Sequence, residues 1–167
     1  MRELRVEDAQ DIQKNMNDKR MNYYIPEFTY PYSLEDAKNF ISRTTPQSVQ
    51  DNEITWAIQY EEQVVGTVNL HAHYPKRKNS QIGYSVSFEH AGKGIATEAV
   101  GAIISFAFET LGLKHIEARV FENNPGSERV LQKLGFSKIG IAKNHTFHRE
   151  NMLDATYYGL QRKDFKN

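Results

Sequence analysis

The segment Ala91-Gly92-Lys93-Gly94-Ile95-Ala96-Thr97 decides how the rest of this chain is read. Before it, Ile82, Tyr84 and Val86 recur with period two, which predicts a strand. After it the period becomes helical, with Val100, Ile103, Ile104, Ala107 and Leu111 on one side and Glu98, Ala102, Ser105 and Glu109 on the other. A strand, a glycine turn and a helix therefore meet here. Glycine admits backbone angles closed to other residues and lets a ligand approach the main chain. The first N–H groups of a helix have no intrahelical partner, and the helix dipole favours an anion beside them. A phosphate or pyrophosphate on this turn is the physical expectation. A plain structural turn is the alternative that the local residues leave open.

The kind of phosphate follows from what the turn lacks. A triphosphate-binding loop needs G-x-x-x-x-G-K-[ST], which is absent from 91–97. A dinucleotide fold needs a third glycine and a parallel βαβ unit. Upstream the pattern is a meander instead. Ile54, Trp56, Ile58 and Tyr60 alternate with Thr55, Ala57 and Gln59, a polar turn Glu61-Glu62-Gln63 follows, and a second strand runs over 64–73. With 82–86 these predict three antiparallel strands.

The reading extends to both ends. A strand over 3–6 precedes a helix from near Asp8, with Ala9, Ile12 and Met16 on one stripe. An aromatic loop over 20–32 carries Tyr23, Tyr24, Phe28, Tyr30 and Tyr32 between prolines at 26 and 31. Ser33-Leu34-Glu35-Asp36 resembles a capping box for a helix whose apolar face is Leu34, Ala37, Phe40 and Ile41. Downstream, Gly112 stops the helix begun at the glycine turn, and 115–121 reads as a strand. A helix over 125–134 ends at Gly135, and strands over 137–142 and 155–160 complete the pattern. The sum is one α/β domain over 1–167, with a mixed, mostly antiparallel sheet flanked by helices.

Composition narrows the function. Lys plus Arg equal Asp plus Glu at 21 each, so net charge gives no reason to expect nucleic acid or an anionic membrane as a direct partner. The chain has no cysteine, which excludes disulfides, thiolate metal sites and a cysteine nucleophile. The charged start Met1-Arg2-Glu3-Leu4-Arg5 leads into no apolar run, and no apolar stretch nears the roughly 20 residues needed to cross a bilayer. A cytoplasmic location is the expectation.

Three blocks together are more specific than any one. Ile82-Gly83-Tyr84, then 92–99, then Asn124-Pro125-Gly126-Ser127-Glu128-Arg129-Val130-Leu131-Gln132-Lys133-Leu134-Gly135-Phe136 resemble the GNAT superfamily of acyl-CoA N-acyltransferases, closest to its RimJ/RimL branch. The likeness runs from Leu4-Arg5 to Asp154, Tyr158 and Leu160. One position departs: the family's pyrophosphate motif opens with Gln or Arg, and here that position is Ala91.

The resemblance implies a GNAT-like fold and an acetyl-CoA cosubstrate gripped by Ala91, Gly92, Lys93, Gly94, Ile95, Ala96 and Thr97. It implies that the 82–86 strand, with Tyr84 and Val86, offers its edge to the pantetheine arm, and that the Val86 N–H faces the thioester carbonyl. Asn124 matches a position that bonds the cosubstrate arm, and Ser127 the hydroxyl that meets its sulfur. Read locally, both residues equally suit caps of the helix at Pro125. Arg129 and Lys133 share a helix face and suit either CoA phosphates or solvent.

The acceptor that the resemblance implies is a primary amine, first a protein or peptide N-terminus of the ribosomal type, with a small amine such as a polyamine, amino sugar or antibiotic as the alternative. A domain that binds acyl-CoA without turnover is the competing class. The aromatic loop suits an acceptor site or a lid, and Glu27 against Lys19 and Arg20 does not make it acidic. For the general base, His71, alternating with Asn69 and His73, stands with His145 and His148 ahead of Glu53 and Glu98, and an α-amino group that is already partly neutral needs none. The His71–His73 pair has no third ligand fixed by spacing, so no metal is expected. A homodimer is compatible with the last strand and the aromatic loop.

Overall fold

The computed structural model describes residues 1–26, 28–44, 53–74, 78–148 and 150–166, with only the backbone of 72–74. Glu27 and the side chain of His73 lie outside the described residues. In chain order the elements are β1 (Arg2–Glu3), α1 (Ala9–Met16), α2 (Lys19–Tyr24), α3 (Leu34–Thr44), β2 (Ile54–Tyr60), β3 (Gln63–Tyr74), β4 (Asn79–Val86), α4 (Ile95–Glu109), β5 (His115–Phe121), α5 (Pro125–Lys133), β6 (Ser137–His148) and β7 (Asn151–Gln161).

One seven-stranded sheet has the order β1-β2-β3-β4-β5-β7-β6. The β2-β3-β4 meander is antiparallel, as are β5-β7 and β7-β6. The β4-β5 pair is parallel, which requires a crossover, and α4 supplies it. That ladder is short: Asn79 opposes His115, Ser80 opposes Ile116 and Gln81 opposes Glu117. Beyond it β4 runs on to Val86 and β5 to Phe121 with the two strands parted. The sheet is therefore split near its middle.

Each face has its own core. Val100, Ile104 and Ala107 of α4 and Leu131 of α5 are fully buried against Val68, Leu70, Ile82 and Ile116. A Cβ on Gly101 would lie 3.3 Å from Leu134, so α4 and α5 approach closely there. On the opposite face, Ile12, Met16, Ala37 and Ile41 of α1 and α3 pack with Ala57 and Val64. At roughly 25 cal/mol per Å2 of apolar surface removed from water, these clusters are the main drive for folding.

Several expectations hold in detail. The Ser33–Asp36 box is formed: the Asp36 N–H donates to Ser33 Oγ at 3.0 Å, and the Ser33 N–H donates to the Asp36 carboxylate at 2.8 Å. Other elements differ. The first strand stops at Glu3, because the Asp8 carboxylate takes the Arg5 N–H and two bonds from the Arg2 guanidinium, winding Val6–Asp8 into a 3-10 turn. The loop over 20–32 contains helix α2, whose Arg20 N–H is capped by Asp18 at 2.9 Å. The last two strands are longer than expected, at Ser137–His148 and Asn151–Gln161. A bulge between Ala142 and Thr146 interrupts their period, with the Asn144 N–H held on Asp154 at 3.0 Å.

Candidate active site

The split in the sheet opens into a cavity of about 460 Å3. Its walls are the free end of β4 (Tyr84, Ser85, Val86), the turn into α4, and the first turns of α5. Side chains alternate across a strand. Tyr84 and Val86 pack with the α4 and α5 core, whereas Ser85 meets Thr67 on the α1 and α3 face, their hydroxyls 3.2 Å apart. The cavity thus touches both faces and passes through the sheet. Met21 and Tyr24 of α2, and Ile25 just after it, line the cavity as well. Helix α2 is held there by Arg20 over the Phe88 ring at 4.0 Å and by Tyr23, whose hydroxyl accepts from Asn123 at 3.3 Å.

The parting of β4 leaves backbone groups to use. The Ser87 N–H donates to the Val65 carbonyl at 2.8 Å, toward β3. Successive N–H groups of a strand point to opposite edges, so that of Val86 is directed to the open edge. Gly66 lies beside this bend, where a Cβ would overlap the Ser85 carbonyl.

At the near end, Gly92 and Gly94 have φ of +79° and +85°, and space above both is open. These left-handed angles cost other residues roughly 1–2 kcal/mol. Gly94 is the N-cap of α4 and offers no side-chain bond to it. The first helical bond across this start runs from the Glu98 N–H to the Gly94 carbonyl at 3.0 Å. The N–H groups of Ile95, Ala96 and Thr97 therefore face the cavity mouth with the positive end of a 15-residue helix behind them. This donor set fits a pyrophosphate, and Arg129 and Lys133 of α5 line the same cavity.

Helix α5 starts differently. The Ser127 N–H donates to Asn124 Oδ1 at 3.1 Å, so Asn124 is a cap, while that bond leaves its amide NH2 unused. The Ser127 hydroxyl lies 2.7 Å from the Tyr84 hydroxyl, joining α5 to β4 across the split. Burial pushes the Tyr84 phenol up to about 12, against a smaller opposite pull from Ser127.

Tyr84, Val86, Ala91, Gly92, Gly94, Ile95, Ala96, Thr97, Asn124, Ser127 and Arg129 all line the cavity. Lys93 and His71 are not among its lining residues. The Lys93 ammonium sits 5.3 Å from the Tyr60 ring. His71 opposes Gln81 on β3, where β4 and β5 are still paired. Among the described residues, no group of three or more His, Cys, Asp or Glu could hold a metal ion. Sequence reasoning missed Met21, Ser85, Phe88 and His90 as lining residues. The Asp18 cap was the local signal for the α2 contribution.

A split β4-β5 pair with an uncapped glycine turn at its mouth fits the acyl-CoA cosubstrate that the sequence resemblance implies. The family model for the acetyltransferase (GNAT) domain matches residues 1–137, and the chain belongs to that family. It is an acetyl-CoA:amine N-acetyltransferase with acetyl-CoA as cosubstrate. It is 30% identical to the uncharacterized N-acetyltransferase YoaA of Bacillus subtilis, over 96% of this chain and 91% of that one. Putative ribosomal N-acetyltransferase YdaF of Bacillus subtilis is 29% identical over 69% of this chain and 63% of its own. The spermidine N-acetyltransferase of Vibrio cholerae, solved with CoA and spermine, shares the fold with a TM-score of 0.83 at 20% identity, covering 99% of this chain and 96% of that one. No helix among the described residues is long and apolar enough to cross a membrane.

Proposed function

We propose that the acceptor is the N-terminal amine of a protein or peptide; one relative is named a putative ribosomal N-acetyltransferase. The observation that carries this reading is the lining of the cavity: among the described residues it includes tyrosine hydroxyls, serines and apolar side chains, and no Asp or Glu. A polyamine carries several positive charges, and a buried charge needs an opposite partner. An N-terminus carries only one, and it loses that charge before attack. An α-amino group titrates near about 8, so a useful share is neutral at neutral pH without a side chain acting as base. That removes the need for a histidine at the reaction centre and suits a His71 outside the cavity lining.

The division of labour follows from the two faces. The turn 91–97 holds the pyrophosphate, with Lys93 contributing backbone alone, while Arg129 attracts the phosphates and Asn124 donates its amide to the pantetheine arm. Acetyl-CoA supplies an activated acyl group and a thiolate leaving group. The Val86 N–H donates to the carbonyl oxygen as negative charge builds on it. Ser127 donates to the departing sulfur. The amine enters from the α2 side, past Tyr24 and Ser85.

The test is thiol release with acetyl-CoA over an amine panel of N-terminal peptides, spermidine, amino sugars and aminoglycosides. Turnover led by peptides supports the proposal. Turnover led by spermidine overturns the acceptor class and leaves the acetyl transfer intact.

A further inference from the structure

The Tyr84 hydroxyl has two acceptors in reach on one residue: Ser127 Oγ at 2.7 Å and the Ser127 backbone carbonyl oxygen at 3.1 Å. A phenol has one proton. If it goes to the carbonyl, the short contact to Oγ must use the serine's own proton, and Ser127 shows only a lone pair to the cavity. If it goes to Oγ, the serine proton is free to point outward. The arrangement of one proton on Tyr84 thus decides whether Ser127 is a donor or an acceptor at the place where it lines the cavity.

We propose that Tyr84 is a positioning residue that turns the Ser127 hydroxyl proton outward, toward the sulfur of the departing CoA. This rests on the reading that Ser127 meets that sulfur. As the new N–C bond forms and the C–S bond breaks, the sulfur keeps the bonding pair and becomes negative. Negative charge there favours the outward arrangement, and the chain Tyr84 to Ser127 to sulfur polarises along its length. The attacking nitrogen sheds one proton to water as the adduct becomes the neutral amide. Tyr84 does not hand over its own proton. A thiol titrates at about 8.5 and burial pushes this phenol up to about 12, so that transfer runs uphill by roughly three to four powers of ten. Without the phenol, a serine in the first turn of a helix is free to rotate onto a nearby main-chain carbonyl.

The experiment uses CoA itself as probe and needs no acceptor. The thiol of bound CoA is titrated by its ultraviolet thiolate absorbance in wild type, Tyr84→Phe, Ser127→Ala and the double variant, with desulfo-CoA affinity as the control. In wild type the bound thiol titrates about one pH unit below free CoA, a tenfold preference for thiolate. Tyr84→Phe returns it most of the way and Ser127→Ala returns it fully. The double variant matches Ser127→Ala, and desulfo-CoA affinity, measured in all four, sets the CoA concentration that saturates each. If Tyr84→Phe titrates with wild type while Ser127→Ala shifts, the positioning role is overturned and Ser127 keeps its place. If Ser127→Ala also titrates with wild type, Ser127 is not at the sulfur and both assignments fall.

Discussion

Helices α4 and α5 both begin at the cavity, yet one begins at a bare glycine and the other under an asparagine cap. The difference is chemical. A helix start has several N–H groups to satisfy, from side chains, water or a ligand. At α5 the chain satisfies one itself, through Asn124 to the Ser127 N–H. At α4 the cap residue has no side chain to give, and φ of +85° turns the preceding peptide out of the way. An N-terminus left open beside glycines is prepared for an anion. One closed by a neutral cap is prepared to hold side chains still, here Ser127 beside Tyr84. The first start binds the cosubstrate and the second orients groups against it.

The largest expected effect comes from breaking the open start. Gly94→Glu places a carboxylate where the pyrophosphate belongs and strains a left-handed position. The loss of even one or two charge-assisted bonds, each worth about 1.5–3 kcal/mol, predicts acetyl-CoA binding weaker by about a hundredfold. Calorimetric titration checks it, with circular dichroism to confirm the fold. A folded variant with wild-type affinity would falsify the cradle.

The closed start separates into two roles by two substitutions. Asn124→Asp keeps a cap acceptor and removes the amide donor, so stability holds and acetyl-CoA affinity drops by about tenfold, near 1.4 kcal/mol. Asn124→Ala removes the cap as well and costs about 1 kcal/mol of stability in denaturant titration. Equal stability of the two variants would mean that the cap is idle. Equal affinity of Asn124→Asp and wild type would mean that Asn124 serves α5 alone.

How far the sequence reaches divides along the same line. Helix ends are local chemistry, and so Ser33 and Asp36, Gly112 and Gly135 are legible: both glycines stand at positive φ just past α4 and α5. Strand spacing is local too, which is why 115–121 is matched residue for residue by β5. The site is less local. Helix α2 is six residues long, polar and aromatic, with no stripe to mark it, and it depends on the Arg20 contact with Phe88 and on Tyr23 meeting Asn123 a hundred residues away. The split in the sheet is a property of the β4-β5 ladder ending at Gln81 and Glu117, which no periodicity records. Resemblance supplied what pattern could not. It pointed to Ser127 and Asn124, while the partnership of Ser127 with Tyr84, 43 positions apart, appears only in three dimensions.

A smaller effect is expected on the charged rim that both starts share. Arg129 is exposed on α5, so its attraction for phosphate is screened. Arg129→Ala weakens acetyl-CoA binding by about threefold at low salt, and the deficit shrinks as salt is added. A deficit independent of salt would point to packing in place of charge.

The smallest effect runs the other way. Ala91 is exposed at the mouth of the cavity, one residue before the open glycines, and its methyl group offers the cosubstrate nothing to bond. If main-chain N–H groups supply most of the grip, an added cation there is an increment and not a requirement. Ala91→Arg should tighten acetyl-CoA by about two- to fivefold, in the range of an exposed ion pair worth up to about 1 kcal/mol, and raise the salt dependence of binding. Competition between CoA and dephospho-CoA in the variant then locates the gain. A gain kept with dephospho-CoA places the new guanidinium at the pyrophosphate, beside the open start of α4. A gain confined to CoA places it at the 3′-phosphate, and the backbone of α4 then holds the pyrophosphate without help from residue 91.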